Sequence, residues 1–294
     1  MVEKRTWQNT LFTVVNGLMV LMFTLLFLYP LWHVLMASFS DPSDLLVHTG
    51  PLLVPAGFSM EGYEMVLKRT DIWIGYTNTL FYVVAGTVVN VVLTSMGAYA
   101  LSRRNLKIRK FLNVMVVMTM YLSGGLIPNF LVVRYLGLYD SRWALILPGA
   151  IATWNLIVLR TGFQQVPREL EESAMIDGAN DFVILFQVVI PIARATLVVI
   201  ALFYAVSHWN AWFNASIYLM DRNKWPLALY LREILLQNTT VATDVEASSI
   251  GGVYHLDELI KYCSIIVSTL PILCIYPFAQ KYFVKGVMMG SLKG

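Results

Sequence analysis

Six apolar stretches, each long enough to cross a lipid bilayer, constrain the fold of this chain more than any other feature. A helix needs about 20 largely apolar residues to span the hydrocarbon core, and only helices and closed barrels satisfy their backbone groups in lipid. Hydrophobic residues make up 57% of the chain and charged residues 13%, which excludes an ordinary soluble domain. The sequence therefore predicts an all-α bundle, a single membrane domain over residues 1–294, with spans near 11–36, 79–101, 111–133, 143–163, 192–219 and 259–283.

The basic residues predict how these spans are oriented. A dense basic run, residues 103–110, lies between the second and third spans, and loops rich in Lys and Arg stay in the cytoplasm. Both termini and residues 164–191 are therefore expected inside. Residues 38–78, with a short helix near 60–68, and residues 221–255 are expected outside, where they are large enough to meet a partner. The basic run could instead be a lipid or nucleic-acid patch, but the net charge of +3 is small and requires no nucleic acid.

One polar segment, residues 167–178, interrupts the apolar sequence between the fourth and fifth spans. Its acidic residues cannot lie in hydrocarbon, so the segment must contact water or another protein. Pro167 suits the first position of a helix, and the acidic residues of the first turns suit its positive end. Gly178 can take the left-handed conformation that ends a helix. The segment is therefore predicted to be a short helix outside the bilayer.

The residues that follow predict a second helix and a docking role for the first. Asn180 or Asp181 could cap a helix that restarts there and runs to Pro191. In the first helix, the small pair Ser173 and Ala174 permits close approach by another backbone or groove. We therefore expect this helix to dock against another protein.

Chemistry that would let the chain act alone is missing from its sequence. No GxxxxGK[ST] phosphate loop occurs, and the apolar interiors of the spans carry no Asp or Glu. The four histidines are scattered, and Cys263 and Cys274 lie in one apolar stretch, so neither a catalytic set nor a metal site is predicted. Energy is expected to come from a separate chain. Two alternatives stay open, a stand-alone secondary transporter with His208 as proton relay and a membrane-embedded enzyme.

Polar and aromatic residues of the fifth span are candidates for a substrate path. Ser207, Asn210 and Asn214 are spaced to share one helix face, and polar side chains at membrane depth face a bundle interior or a wet cavity. Amides beside indoles suit the hydroxyls and C–H faces of sugars. The alternatives are interhelical hydrogen bonds for the amides, interface anchoring for the tryptophans and helix packing for His208. The candidates are Asn210, Asn214, Trp209, Trp212 and His208, with Tyr121 in the third span and Asn155 in the fourth.

A glycine pair in the third span permits two interpretations. Gly124 and Gly125 either unwind the helix and expose its carbonyls or permit close packing against a neighbouring helix, and packing is the preferred interpretation.

The polar segment resembles the cytoplasmic loop of membrane subunits of ATP-binding-cassette (ABC) importers. Glu172-Ser173-Ala174, Gly178 and the run Val188-Val189-Ile190-Pro191 reproduce the spacing of that family's loop. More widely, the chain resembles the smaller six-span membrane subunit of carbohydrate importers of the maltose-transporter type. Two stretches are similar to the branch that includes the alginate importer, namely 123–128 and 143–149. The stretches that carry the wider likeness are 29–32, 78–80, 98–103, 208–212 and 281–286.

This resemblance implies a type I ABC importer permease fold in a bacterial inner membrane. It implies a second related permease subunit, a dimer of cytoplasmic ATPase subunits that bind ATP and Mg, and an extracytoplasmic solute-binding protein. No cofactor is expected in this chain, which is not itself an enzyme. Glu172 is expected to pair with a basic residue of the ATPase, and the tail beyond Phe283 to reach the ATPase dimer. The coupling residues implied are Glu169, Glu171, Glu172, Ser173, Ala174, Asp177, Gly178 and Pro191.

Overall fold

A computed structural model describes residues 7–103, 106–241 and 251–291 of the chain, and every regular element in these ranges is helical. The predicted all-α fold is confirmed. The first helices are α1 (Trp7–Ser38), α2 (Pro42–Val47), α3 (Glu61–Lys68), α4 (Thr70–Ser102), α5 (Arg109–Tyr121), α6 (Leu126–Tyr135) and α7 (Thr153–Phe163). They are followed by α8 (Arg168–Ile176), α9 (Asp181–Val183), α10 (Ile190–Ile192), α11 (Arg194–Trp209), α12 (Trp212–Tyr218), α13 (Leu227–Val241) and α14 (Gly251–Ser291).

Three described helices are long and apolar enough to cross a membrane on their own, namely Trp7–Ser38, Thr70–Ser102 and Glu258–Pro277. Two further pairs meet the same criteria only when each is taken as one bent span. The α5–α6 pair bends by 115°, and the pair formed by Asp181–Ile192 and α11 bends by 91°. The described chain thus holds three to five candidate spans by length and composition, and six spans stay a prediction.

Helix breaks shorten three of the apolar stretches. Residues 111–133 are interrupted between Tyr121 and Leu126, where Gly125 has a φ of +84°, so the glycine pair belongs to an unwound segment. Residues 143–163 form a short 3₁₀ turn and the 11-residue α7, because the chain between them contains Pro148. Residues 192–219 are divided between α11 and α12.

The chain packs as two compact units. The first is drawn from residues 1–69 and 234–270, and the second from residues 70–233 and 271–294. The single domain over residues 1–294 stays a prediction. In the first unit, Gly62 of α3 lies so close to Leu259 and Cys263 of α14 that an added Cβ would overlap both side chains. The predicted helix near residues 60–68 is confirmed as α3.

The second unit is built around α4, α7 and α11, which pack against one another. Their buried apolar faces meet in one cluster that also takes in the residues following α8. Its largest fully buried side chains are Phe163, Leu159, Ile184 and Ile200. This core fixes α8 and the turn after it beside the C-terminal end of α4.

Candidate functional site

The predicted short helix is present as α8, and both of its ends follow from local sequence. Pro167 is the residue just before the helix and not its first residue, with ψ at 134°. The helix ends at Ile176, and Gly178, the residue after the Asp177 cap, has a φ of +85°. The N–H of Gly178 donates to Met175 O at 3.0 Å and the N–H of Ala179 to Ala174 O at 2.9 Å, the pattern of a glycine-terminated helix. The predicted left-handed ending is confirmed.

The helix that follows also starts where the sequence predicts. The side chain of Asn180 accepts a hydrogen bond from the N–H of Val183 at 2.9 Å and so caps α9. The chain then continues through a π-helical turn, Ile184–Val189, into α10, and Pro191 is exposed there. The π-helical turn is not predictable from periodicity, although such turns often accompany functional sites.

The acidic residues of α8 and its C-terminal turn divide into two groups. Glu171 is buried, with 5% of its surface exposed, and forms an ion pair with Arg103 just beyond α4. Glu169, Glu172 and Asp177 are exposed, and within the described residues they form no ion pair. A role for Glu169, Glu172 and Asp177 in contacting a partner protein therefore stays a prediction. Glu171 instead pairs with a residue of the same chain.

The remaining residues of α8 form a surface of mixed character. The hydroxyl of Ser173 donates to Glu169 O at 2.7 Å, so it is satisfied within its own helix. Ala174 is half-buried against the core cluster. The apolar side chains Leu170, Met175 and Ile176 are 45%, 49% and 87% exposed, which is unusual for a helix that has a core beside it.

A cavity of about 390 Å³ lies beside α8 in the second unit. Charged groups dominate its lining, and burial lowers the pKa of the Arg103 guanidinium while the nearby Tyr99 opposes that shift. The cavity is lined by Ser102, Arg103, Arg109, Phe163, Gln164, Val166, Arg168, Glu171, Glu172 and Met175.

The substrate-path candidates do not form one cluster. His208 is buried, and its Nε2 lies 3.1 Å from Asn90 Nδ2 on α4. An added Cβ at Gly86 would overlap the imidazole ring, so this glycine makes room for it. His208 thus packs between α11 and α4, an arrangement that matches the helix-packing alternative for this residue. Asn155 is also buried, whereas Tyr121 is 81% exposed.

The predicted shared face of Ser207, Asn210 and Asn214 is wrong. α11 ends at Trp209 and α12 begins at Trp212, so the two amides lie on different elements. The amide of Asn210 donates to Val206 O at 3.0 Å and terminates α11.

The aromatic members of the fifth-span set also differ in their surroundings. Arg232 lies 3.7 Å above the ring centroid of Trp212. Trp209 is half-buried, and Asn214 is exposed.

Sequence reasoning assigned no role to a polar network at the N-terminal end of α4. Asn78 donates to Asn223 O at 2.7 Å and to Trp225 O at 3.0 Å, and it accepts from Arg142 at 2.9 Å. The hydroxyl of Tyr82 donates to Lys224 O at 2.7 Å. Only the stretch 78–80 carried a signal, as part of the family resemblance.

An apolar helical chain with three to five candidate spans and an exposed acidic helix between them belongs to the class of multi-pass membrane proteins. Comparison with known proteins agrees with that class. A family model described as the binding-protein-dependent transport system inner membrane component matches residues 90–221. The chain is 42% identical, over 98% of its length and 100% of the relative's, to the polygalacturonan/rhamnogalacturonan transport system permease protein YtcP of Bacillus subtilis. It is 37% identical to protein LplC of the same organism, over 100% of both chains.

A solved structure gives the same result for the fold. A chain from the crystal structure of a bacterial ABC transporter involved in the import of the acidic polysaccharide alginate matches with a TM-score of 0.87 and 31% identity. The match covers 96% of this chain and 100% of that one. The chain belongs to the family of binding-protein-dependent transport system inner membrane components. The resemblance to permease subunits of sugar ABC importers and their type I permease fold are confirmed.

Proposed function

We propose that this chain is the permease subunit of an ABC importer for an oligosaccharide, and that it forms half of the translocation path. Membership of the family supports a transport role, and the names of the relatives support a carbohydrate. The observation that carries the coupling role is α8 itself, a short helix with exposed acidic and apolar side chains beside a packed core. The chain is not an enzyme on its own.

An acidic oligosaccharide is the substrate class that we propose. YtcP is named for polygalacturonan and rhamnogalacturonan, and the solved structure belongs to an importer of alginate. Both names describe polymers that contain acidic sugars. The proposed path includes the fifth-span residues His208, Trp209, Asn210, Trp212 and Asn214, with Tyr121 and Asn155.

The proposed assembly contains a second, related permease subunit and a dimer of ATPase subunits that bind ATP and Mg. An extracytoplasmic solute-binding protein delivers the substrate. Both termini of this chain lie in the cytoplasm, although residues 1–6 and 292–294 lie outside the described residues. ATP-driven closure of the ATPase dimer draws the coupling helices together and changes which side of the membrane the path faces. Such a change requires that ATP and the loaded binding protein differ in affinity between the two states.

A reversed charge on α8 tests this proposal. Glu172 is exposed, so Glu172→Lys should leave the fold and the membrane content of the chain unchanged. It should lower co-purification of the ATPase subunit and sugar uptake by about 10-fold or more, because one contact at the centre of an interface carries much of its affinity. Gln8→Lys, an exposed substitution in the first turn of α1 and away from α8, is the control and should change neither.

Two other measurements would contradict the proposed function. Sugar uptake by the purified chain alone, in vesicles with a proton or sodium gradient, would contradict the proposal in favour of a secondary transporter. Accessibility labelling that places residues 168–178 outside the cell would contradict it as well.

A further inference from the structure

The buried side chain of α8 is acidic, although apolar side chains of the same helix remain exposed. Among the nine residues of α8, all of them described, Glu171 is the only buried one. The apolar neighbours Leu170 and Met175 remain about half exposed. A helix normally buries its apolar side chains and exposes its acids. The inversion indicates that a carboxylate at residue 171 has a specific partner within the chain.

That partner is held from several sides. The Arg103 guanidinium pairs with the Glu171 carboxylate and lies 4.4 Å above the centroid of the Tyr99 ring. Arg103 Nε also donates to the Ser102 hydroxyl at 2.9 Å, and that hydroxyl donates to Tyr99 O. Arginine suits such a site because its planar group can stack and form an ion pair at the same time. The guanidinium is therefore fixed to the last turn of α4.

A second contact reaches the other side of the turn at Gly178. The hydroxyl of Tyr99 donates to Asp181 Oδ1 at 3.4 Å, and Asp181 is the first residue of α9. Glu171 precedes the turn and Asp181 follows it. The end of α4 thus contacts both helices that flank the turn.

We propose that Arg103 and Glu171 form the mechanical link by which movement of α8 is passed to α4, so that Glu171 is a positioning residue and not part of the surface that contacts the ATPase. This inference rests on the proposed function. Successive residues on a helix point about 100° apart, so Glu171 can face α4 while Glu172 faces outward. Coupling between distant sites travels through packed side chains and ion pairs such as this one.

The geometry of α4 explains why a link at this end is useful. The helix runs without interruption over 33 residues, about 50 Å at the usual helical rise. It also packs along α7 and α11, and it reaches His208 through Asn90. A displacement applied at Arg103 is therefore delivered to the core of the second unit.

The test uses the complete transporter, with its ATPase subunits, second permease and binding protein, in proteoliposomes. The variants are Glu171→Gln, Arg103→Gln and the charge-exchanged double variant Arg103→Glu/Glu171→Arg. Three quantities are measured for each, namely the ATPase subunit retained, ATP hydrolysed and sugar taken up. Gln8→Glu is the control, because Gln8 is exposed in α1 of the first unit and lies outside the segment expected to meet the binding protein.

We expect each single variant to retain the ATPase subunit within about 2-fold and to take up at least about 10-fold less sugar per ATP hydrolysed, within the range of typical coupling constants. The charge-exchanged variant should recover at least half of the wild-type ratio. A loss caused only by misfolding would instead lower the amount of chain in the membrane.

Three outcomes would overturn the link. The first is a normal ratio of uptake to hydrolysis in Glu171→Gln. The second is loss of the ATPase subunit in Glu171→Gln as complete as in Glu172→Lys, which would place Glu171 on the docking surface. The third is no recovery in the charge-exchanged variant at wild-type membrane amounts. Failure of the wild-type chain to retain any ATPase subunit would instead overturn the proposed function. The wild-type sample, measured beside the variants, distinguishes the two failures.

Discussion

At the N-terminal end of α4, the buried polar residues Asn78, Thr79 and Tyr82 bond to the segment 223–227 of the same unit. At the C-terminal end, Tyr99 and Arg103 bond to the segment that carries α8. The two ends use the same strategy, a polar side chain that fixes a neighbouring loop or helix. They differ in what lies beyond the contact.

The loop fixed at the N-terminal end is closed on itself. Asp140 accepts from the N–H groups of Met220 and Asp221, and Lys224 donates to both the carboxylate and the carbonyl of Asp140. Arg222 pairs with Glu233 nearby. At the C-terminal end, α8 instead presents exposed acids and exposed apolar residues. The two ends therefore differ in whether side chains remain exposed after the contacts within the chain have formed. The residue types involved do not distinguish a structural network from a binding surface.

The largest effect is expected where the closed network is buried. Asn78→Leu keeps the volume of the side chain but removes three hydrogen bonds, leaving Asn223 O, Trp225 O and the Arg142 guanidinium without that partner. The free energy of unfolding in detergent should fall by about 3 kcal/mol, since each of the three lost hydrogen bonds contributes about 1 kcal/mol. The neighbouring Thr77→Ala, at an exposed position, should cost under about 0.5 kcal/mol. Equal effects at the two positions would show that the N-terminal network does not stabilise the fold.

A smaller and more local effect is expected at the C-terminal end. Gly178→Val places a side chain at a φ of +85°, where it meets no neighbouring atom within 4 Å, so the cost comes from the backbone alone. We expect about 2 kcal/mol, confined to α8 and its turn. Hydrogen exchange of the amides of residues 173–179 measures it. Gly17→Val, in open space within α1 and at ordinary helical φ, should show no such change. Protection lost throughout the core would contradict the local character of this end.

Between the two ends, α4 is held by uncharged hydrogen bonds. The hydroxyl of Tyr204 accepts from the N–H of Ala152 at 3.0 Å and shares a hydrogen bond with Thr94 at 2.7 Å. Tyr204→Phe should lower the free energy of unfolding by about 1.5 kcal/mol, because it removes two hydrogen bonds that each contribute about 0.5–1.5 kcal/mol. Tyr135→Phe, at a position 91% exposed, is the control and should have no measurable effect. If Tyr204→Phe lowered the free energy of unfolding by more than Asn78→Leu, the middle of α4 and not its N-terminal end would contribute most to stability.

The comparison also shows which features the sequence could predict. The ends of α8 followed from Pro167 and Gly178, and the start of α9 from Asn180, because caps and glycine terminations act within a few residues. At Gly124 and Gly125 the sequence favoured close packing over unwinding, yet the structure shows an unwound segment, because both interpretations use the same local signal. The all-α fold and the family were predictable from apolar lengths and motif spacing, which need no tertiary information.

Features that depend on distant partners escaped the sequence. The burial of Glu171 depends on Arg103, 68 positions earlier in the chain. The sequence alone therefore grouped Glu171 with the exposed acidic residues. Asn210 and Asn214 read as helical neighbours, since no Gly or Pro lies between them, yet α11 ends just before Asn210. Asp140 has a φ of +55°, uncommon for a residue other than glycine, because four bonds to residues 220–224 hold it there.

The smallest expected effect is the pH dependence of the closed network. Hydrogen bonds from the Asp221 N–H, and further ones from Lys224 and the Met220 N–H, hold the pKa of Asp140 below its ordinary value of about 3.9. Because the folded-state pKa is depressed, the stabilisation is fully present above the ordinary value and is lost as the pH falls through the folded-state pKa. The carboxylate is 32% exposed, so solvent screening should keep the loss near 1 kcal/mol or less. Unfolding titrations from pH 6 to about 3 should therefore fall more steeply for the wild type than for Asp140→Asn. Identical slopes for the two chains would remove Asp140 from the groups that hold the N-terminal end of α4 closed.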